Sequence, residues 1–235
     1  MKYMGSKRRI AKHIIPIMVD AADEAGITTW IEPFVGGGNS IDKVPNRFKR
    51  EGYDLNPHVI QAMLDIRDRP FDLLEEFTDY ERKYIRELPF GVPLKSHAAI
   101  VTSFGADLMG GYARESGSDN STFCLYGKRS AIKQSKLISD VYFKCISYDE
   151  ISPNTALIYC DPPYKGTSGY KTGSFDHESF YKWCRRMAKE NIVFVSEYSS
   201  PDDFVEVWRG EQKTNFSSKR NSATHNAIEK LFRVK

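Results

Sequence analysis

Four consecutive residues carry the sharpest chemical signal in the chain: Asp161-Pro162-Pro163-Tyr164. They follow Ala156-Leu157-Ile158-Tyr159-Cys160. A continuous apolar run of this kind forms a strand buried on both faces of a parallel sheet. Two prolines fix φ and remove two backbone donors, so the carbonyls beside them are held rigidly. The Asp161 carboxylate and a neighbouring carbonyl then form two acceptors at fixed spacing. Such a pair suits an exocyclic amino group, which has two hydrogens to donate. Tyr164 adds a flat face on which a planar base stacks. The plainer reading is a proline-rich loop that ends a strand.

Two further segments point to a ligand. Thr28-Thr29-Trp30-Ile31 reads as a short buried strand that runs into Glu32-Pro33-Phe34-Val35-Gly36-Gly37-Gly38-Asn39. Glycines after a strand mark a loop whose backbone approaches something closely, or one that makes only a tight turn. The third glycine of a dinucleotide fingerprint is missing, because Ile41 stands where it belongs. A second strand over 49–55 ends at Asp54, placed to accept hydrogen bonds from ribose hydroxyls. Capping the helix that follows is an equal reading of Asp54. Asn56-Pro57 reads as N-cap and first residue of that helix, with Val59, Ile60, Met63 and Leu64 inward.

These segments need a scaffold. Ser6 caps an expected first helix running to about Ile15, with Pro16 near its end. Residues 71–88 read as helical, and 103–130 are rich in Gly, Ser, Asn and aromatics, the mark of an inserted subdomain. Asp176 caps a periodic helix with Phe180, Trp183, Cys184 and Met187 inward. Ile192–Val195 is another buried strand, and the tail supplies one or two more, one near 228–234. Strands alternating with helices predict an α/β, Rossmann-like, doubly wound sheet with helices on both faces, in which ligands sit at the carboxyl ends of the strands. The glycine loop, Asp54 and Asp161 all fall at such ends.

Composition limits the rest. At 40% hydrophobic and 28% charged residues the 235-residue chain reads as an ordinary folded domain rather than a disordered or fibrous one. No run approaches the ~20 apolar residues of a membrane helix. The charged N-terminus does not read as a secretory signal, because no long apolar stretch follows it. Cys124, Cys145, Cys160 and Cys184 form no C-x-x-C pair and read as reduced thiols; no metal is expected. Net charge is only +3, but residues 1–12 hold five basic residues and no acid, and basic residues also exceed acids over 95–145 and 205–235. Such patches fit a polyanion, or ordinary solvated faces.

With these residues in view, the chain resembles the Dam-type DNA adenine N6-methyltransferases of bacteria and their phages. Four blocks match in order: Lys2-Tyr3-Met4-Gly5-Ser6-Lys7, Glu32 to Gly38, Asp54-Leu55-Asn56, and Tyr159 to Tyr164. Phe216-Ser217-Ser218 and Glu229-Lys230-Leu231 resemble the family's tail. The match is weakest over 67–144, where the family places its target-recognition domain. The resemblance thus implies a catalytic domain over 1–66 and 145–235 with an insertion at 67–144.

It also implies S-adenosylmethionine as cofactor. Tyr3 and Lys7 match family positions at the cofactor site, Asp54 binds the ribose, and Gly36 and Gly38 let the backbone approach the methionine part with Phe34 packed nearby. Asp149 is a looser match to a residue contacting the cofactor adenine. Asp161, Pro162 and Tyr164 form the catalytic pocket, with Asp161 also bordering the cofactor. The substrate implied is an adenine flipped out of double-stranded DNA. Candidate DNA contacts are Arg8, Arg9, Lys128, Arg129, Lys133, Lys136, Lys219 and Arg220, most of them to phosphate. A monomer in the cytoplasm of a bacterial cell or phage-infected host is expected, as in restriction-modification. The rival readings are a methyltransferase acting on RNA or on a protein glutamine, a nicotinamide-dependent dehydrogenase, and a DNA-binding homologue without activity.

Overall fold

The computed structural model describes residues 1–108, 110–113, 122–164, 175–212 and 227–235. Seven strands form one sheet: β1 (Thr29–Glu32), β2 (Lys49–Asp54), β3 (Tyr142–Cys145), β4 (Leu157–Cys160), β5 (Ile192–Glu197), β6 (Phe204–Gln212) and β7 (Ala227–Val234). Their order is β3-β2-β1-β4-β5-β7-β6. The first five are parallel, and β7 runs antiparallel between β5 and β6. The direction of winding reverses between β1 and β4. A crevice therefore opens at their carboxyl ends, where open α/β sheets bind ligands.

The short central strands alternate between two apolar layers. Trp30, Leu157, Tyr159, Phe194 and Leu231 join the layer that holds α1 (Ala11–Glu24), α2 (Pro57–Asp68), α4 (Lys95–Val101) and α5 (Phe123–Ser135). Ile31, Ile158, Cys160, Val193, Val195 and Phe232 join the opposite layer, which is built on α6 (His177–Met187). Both faces of β4 are buried, as its apolar run predicts. The described parts of 67–144 feed the first layer through Leu73, Phe77, Ile85, Ile100, Cys124 and Ala131. The span also takes in the start of β3, whose pairing of Glu51 with Tyr142 places it in the main sheet.

Local chemistry explains most boundaries. Asn56 Oδ1 accepts from His58 N at 3.0 Å and Pro57 opens α2, as read from the sequence. Asp176 caps α6 and buries Phe180, Trp183, Cys184 and Met187, again as expected. Ser6, in contrast, caps only a 3-10 turn over Lys7–Arg9. The helix proper is α1, and Pro16 lies inside it rather than near its end. Pro16 and Lys12 face solvent, so the carbonyl that loses its N–H partner meets water while Ile14, Ile15 and Met18 stay buried. Within 71–88 only α3 (Asp79–Arg86) is helical, started by a capping box between Thr78 and Glu81. Within 103–130, α5 begins at Phe123 despite Gly127. A Cβ on Gly127 would lie 3.0 Å from Val101 and 3.1 Å from His97, so glycine lets α4 and α5 approach closely.

Asn56→Ala is expected to lower the unfolding free energy by about 1 kcal/mol in urea denaturation, because it leaves the first turn of α2 uncapped.

Candidate active site

The glycine loop leaves β1 and folds against the end of β2. Val35 N donates to Tyr53 O at 2.8 Å, and Gly36 N donates to Asp54 Oδ2 at 3.0 Å. The other Asp54 oxygen accepts from Asn56 N at 2.9 Å. Asp54 therefore ties the loop to the start of α2, while Asn56 itself caps that helix. Gly36 and Gly38 have φ of +49° and +66°, which other residues adopt with strain. A Cβ on Gly36 would lie 2.9 Å from the Tyr3 ring, so the N-terminal block lies over this loop. Asn39 Nδ2 donates to the Met1 carbonyl at 2.8 Å and fastens the same block.

Four residues later the N-terminal segment reaches the other loop. The Lys7 ammonium is 3.0 Å from Asp161 Oδ1 and 3.6 Å from Glu229 Oε1. It also lies 4.5 Å from the centre of the Tyr164 ring. Tyr164 OH donates to the second Glu229 oxygen at 2.6 Å, and its ring meets Tyr198 edge to face at 4.6 Å. Lys7 is only 5% exposed and Glu229 10%, whereas Asp161 keeps 21%. Of these three charged groups Asp161 is thus the most open to a ligand. Lys7, expected at the cofactor site, lies against Asp161 and Tyr164, expected in the catalytic pocket with Pro162, at the end of β4.

Burial dominates the proton affinities. It raises Asp161 to about 6, against the opposing pull of Lys7, and Glu229 adds to the rise. Asp54 is also raised to about 6 by burial, opposed by its backbone hydrogen bonds. Burial alone would lower Lys7, but Asp161 and Glu229 outweigh it and the ammonium is held above its usual value. Burial and the two carboxylates keep the Tyr164 hydroxyl protonated, so it acts as a donor. Beneath the loop, Glu32 accepts from Ser40 at 2.7 Å and from Trp30 Nε1 at 3.1 Å, and burial raises it to about 8.

The remaining expected residues scatter. Phe34 packs among Tyr148, Phe175 and Phe180 at 5.5–5.8 Å, on the α6 side of the glycine loop. Asp149 is exposed in a 3-10 turn after β3, the strand next to the one that ends at Asp54. Arg8 and Arg9 are exposed in the turn that carries Lys7. Lys128 pairs with Glu75 at 3.0 Å. Arg129, Lys133 and Lys136 are exposed one or two turns apart along α5 and its cap. Lys136 borders a cavity of about 420 Å³ with Arg50, Ser139 and Asp140, beside the amino ends of β2 and β3 and so at the opposite end of these strands from Asp54. Lys219 and Arg220 lie outside the described residues.

Glu229 and Tyr198 were not singled out as site residues from the sequence. The signal for Glu229 was a carboxylate two residues from Leu231, hence on the same face of a strand whose Leu231 is fully buried. Tyr198 follows a strand end as Asp161 does, but a lone tyrosine there carries no distinguishing pattern.

A mixed seven-stranded α/β sheet with an antiparallel β7 hairpin is typical of S-adenosylmethionine-dependent methyltransferases. Residues 3–88 match the model of the D12 class N6 adenine-specific DNA methyltransferases. No curated protein matches the chain. Among solved structures, a conserved hypothetical protein from Streptococcus pyogenes aligns over 88% of this chain and 86% of its own, with 8% identity and a TM-score of 0.36. SMU.472, assigned as a methyltransferase and solved with S-adenosylhomocysteine, aligns over 75% of this chain and 52% of its own, with 9% identity and a TM-score of 0.25. Likenesses this loose carry no function across. Among the described residues, no helix is long and apolar enough to cross a membrane.

Glu32 gives the site a signature in stability. Its folded affinity for a proton exceeds its value of 4.5 in the unfolded chain, so its contribution is fully present below pH 4.5 and is lost as pH rises toward 8. Stability measured by urea denaturation should fall over that window by up to about 1.4 kcal/mol per pH unit from this group. Glu32→Gln, which keeps the donors of Trp30 and Ser40 partnered, should flatten the slope.

Proposed function

We propose that this chain is a site-specific DNA methyltransferase that moves a methyl group from S-adenosylmethionine to N6 of an adenine flipped out of double-stranded DNA. The observation that carries this reading is the Asp161 carboxylate, held by Lys7 at the end of β4 beside the rigid Pro162 and Tyr164.

The residues present fit the cofactor. Asp54 uses each oxygen for one backbone N–H and retains acceptor capacity for ribose hydroxyls. The missing side chains of Gly36 and Gly38 make room for the chain's own Tyr3 ring and Met63, which pack the loop, and Phe34 borders it on the other side. Lys7 and Asp161 border the reacting end, and Asp149 the adenine end. When bound, S-adenosylmethionine supplies an electrophilic methyl group on a positively charged sulfur.

The chain's own residues prepare the nucleophile. The N6 lone pair of adenine is delocalised into the ring, so the free amine is a poor nucleophile. Asp161 Oδ and the Pro162 carbonyl accept its two hydrogens and favour a pyramidal nitrogen with a localised lone pair. Tyr164, its hydroxyl tethered to Glu229, stacks on the extruded base and offsets part of the stacking lost from the duplex. Asp161 carries negative charge toward the nitrogen as that atom becomes positive. Its raised proton affinity suits it to accept the N6 proton.

Arg8 and Arg9, beside Lys7, are positioned to meet phosphates at the mouth of this site. The part of 67–144 that precedes β3 serves as the target-reading insertion, with Lys128, Arg129, Lys133 and Lys136 as phosphate contacts. Lys219 and Arg220 complete the set. The protein acts as a monomer, since each target base is modified singly, in the cytoplasm of a bacterial or phage-infected cell.

Incubation with S-adenosylmethionine and unmethylated genomic DNA, followed by nucleoside mass spectrometry, should yield N6-methyldeoxyadenosine. Asp161→Ala should lower kcat by at least about 10³-fold with the fold retained. Asp54→Ala should weaken cofactor binding by about tenfold to hundredfold in calorimetry. Near wild-type turnover by Asp161→Ala would refute the reading. Methylation of RNA or protein alone would assign the site to the rival substrates.

A further inference from the structure

Glu229 spans two functional groups at once. One oxygen lies 3.6 Å from the Lys7 ammonium and the other accepts from Tyr164 OH at 2.6 Å. It is delivered by β7, the strand that runs antiparallel beside β5, from the end of the chain opposite Lys7. Glu229 is buried beside Leu231 on one face of β7, and a carboxylate there costs desolvation that an apolar residue would avoid. Lys7 is therefore shared by two carboxylates, and the trio carries net charge −1.

That net charge matters for the proposed chemistry. In the transfer N6 forms a bond to the methyl carbon as the sulfur–methyl bond breaks and S-adenosylhomocysteine leaves with that electron pair; the nitrogen, now positive, passes a proton to Asp161. A Lys7 ammonium paired with Asp161 alone would neutralise the carboxylate that faces this developing charge. We propose that Glu229 is a positioning residue for methyl transfer. It draws the Lys7 charge away from Asp161 and fixes the Tyr164 ring by its hydroxyl. The role rests on the adenine-methylation reading, and the groups themselves can be examined without DNA.

The groups that face Asp161 set the expected titration. They are Lys7 from the N-terminal turn, Glu32 at the end of β1, Tyr159 and Cys160 from β4, Tyr164 in its own loop, Tyr198 after β5, and Glu229. Removing the Glu229 charge takes away a neighbour that raises Asp161 and leaves Lys7 wholly to it. Both changes lower the proton affinity of Asp161.

The test compares wild type, Glu229→Gln and Lys7→Met. Carbon-13 NMR of the Asp161 carboxyl in the cofactor-free protein, assigned with Asp161→Asn, reads the titration directly. Glu229→Gln should lower it by about one unit and Lys7→Met should raise it. In DNA methylation assays Glu229→Gln should lower kcat by about tenfold to hundredfold and move the acid limb of the pH profile to lower pH. A purely structural role would lower the amount of folded protein and leave that limb in place. An unmoved Asp161 titration in Glu229→Gln overturns the proposal. So does wild-type kcat in that variant. If Glu229→Gln does not fold, an unmoved titration in Lys7→Met overturns it instead. A wild-type protein that binds cofactor and methylates no adenine refutes the functional reading, while the NMR arm still reports whether Glu229 governs Asp161.

Discussion

Lys7 Nζ stands 3.0 Å from Asp161 and 3.6 Å from Glu229, and the three residues come from the N-terminal turn, the end of β4 and the last strand. A buried ammonium is tolerated only where carboxylates surround it. Removing one partner of such a group typically costs about 3–5 kcal/mol, because an uncompensated charge remains. This requirement brings the two ends of the chain together. It also explains why the N-terminal block lies over the glycine loop, since Tyr3 covers Gly36 on the way to Lys7. Both loops that would hold the reactants are thereby fastened to one charged cluster.

The sheet supplies the rigidity behind that cluster. β1 and β4 are adjacent and parallel, so the glycine loop and the Asp161 loop leave neighbouring strand ends. Each of the two strands presents one row of side chains to each apolar layer, and neither can shift register by one residue without exchanging its faces. On one side α1, α2, α4 and α5 pack together. On the other, α6 and the aromatic group of Phe34, Tyr148, Phe175 and Phe180 support the underside of the glycine loop. Acidic groups at this rim hold their protons unusually well because the same packing excludes water from them.

Much of this was legible in the residues. Ala156–Cys160 had to be a doubly buried strand, and two prolines had to end it, so Asp161 could be placed at a strand end directly. Asn56-Pro57 announced α2 through cap chemistry alone. Other features depend on partners far away in sequence. β3 is an edge strand with only Phe143 buried, so its pattern is too short and too polar to stand out. Gly127 weakens the local helix signal of α5, and only the close approach of α4 explains it. Pro16 is a helix breaker by propensity, yet its exposed position lets α1 continue through it. Glu229 could be read as a surface strand charge until Lys7 and Tyr164 were placed against it. Family resemblance supplied the expected cofactor-site roles of Tyr3, Lys7 and Asp149, which no local pattern defines.

In the proposed arrangement the carboxyl ends of β1, β2 and β4 form one site, with Asp54 at the ribose end and Asp161 at the reacting end. A crystal structure with S-adenosylhomocysteine tests it most directly. Such a structure should show the ribose hydroxyls on the Asp54 carboxylate, the amino-acid part along Gly36–Gly38, and the sulfur directed toward Asp161. A nucleoside bound away from the glycine loop, or a sulfur turned from Asp161, would contradict it.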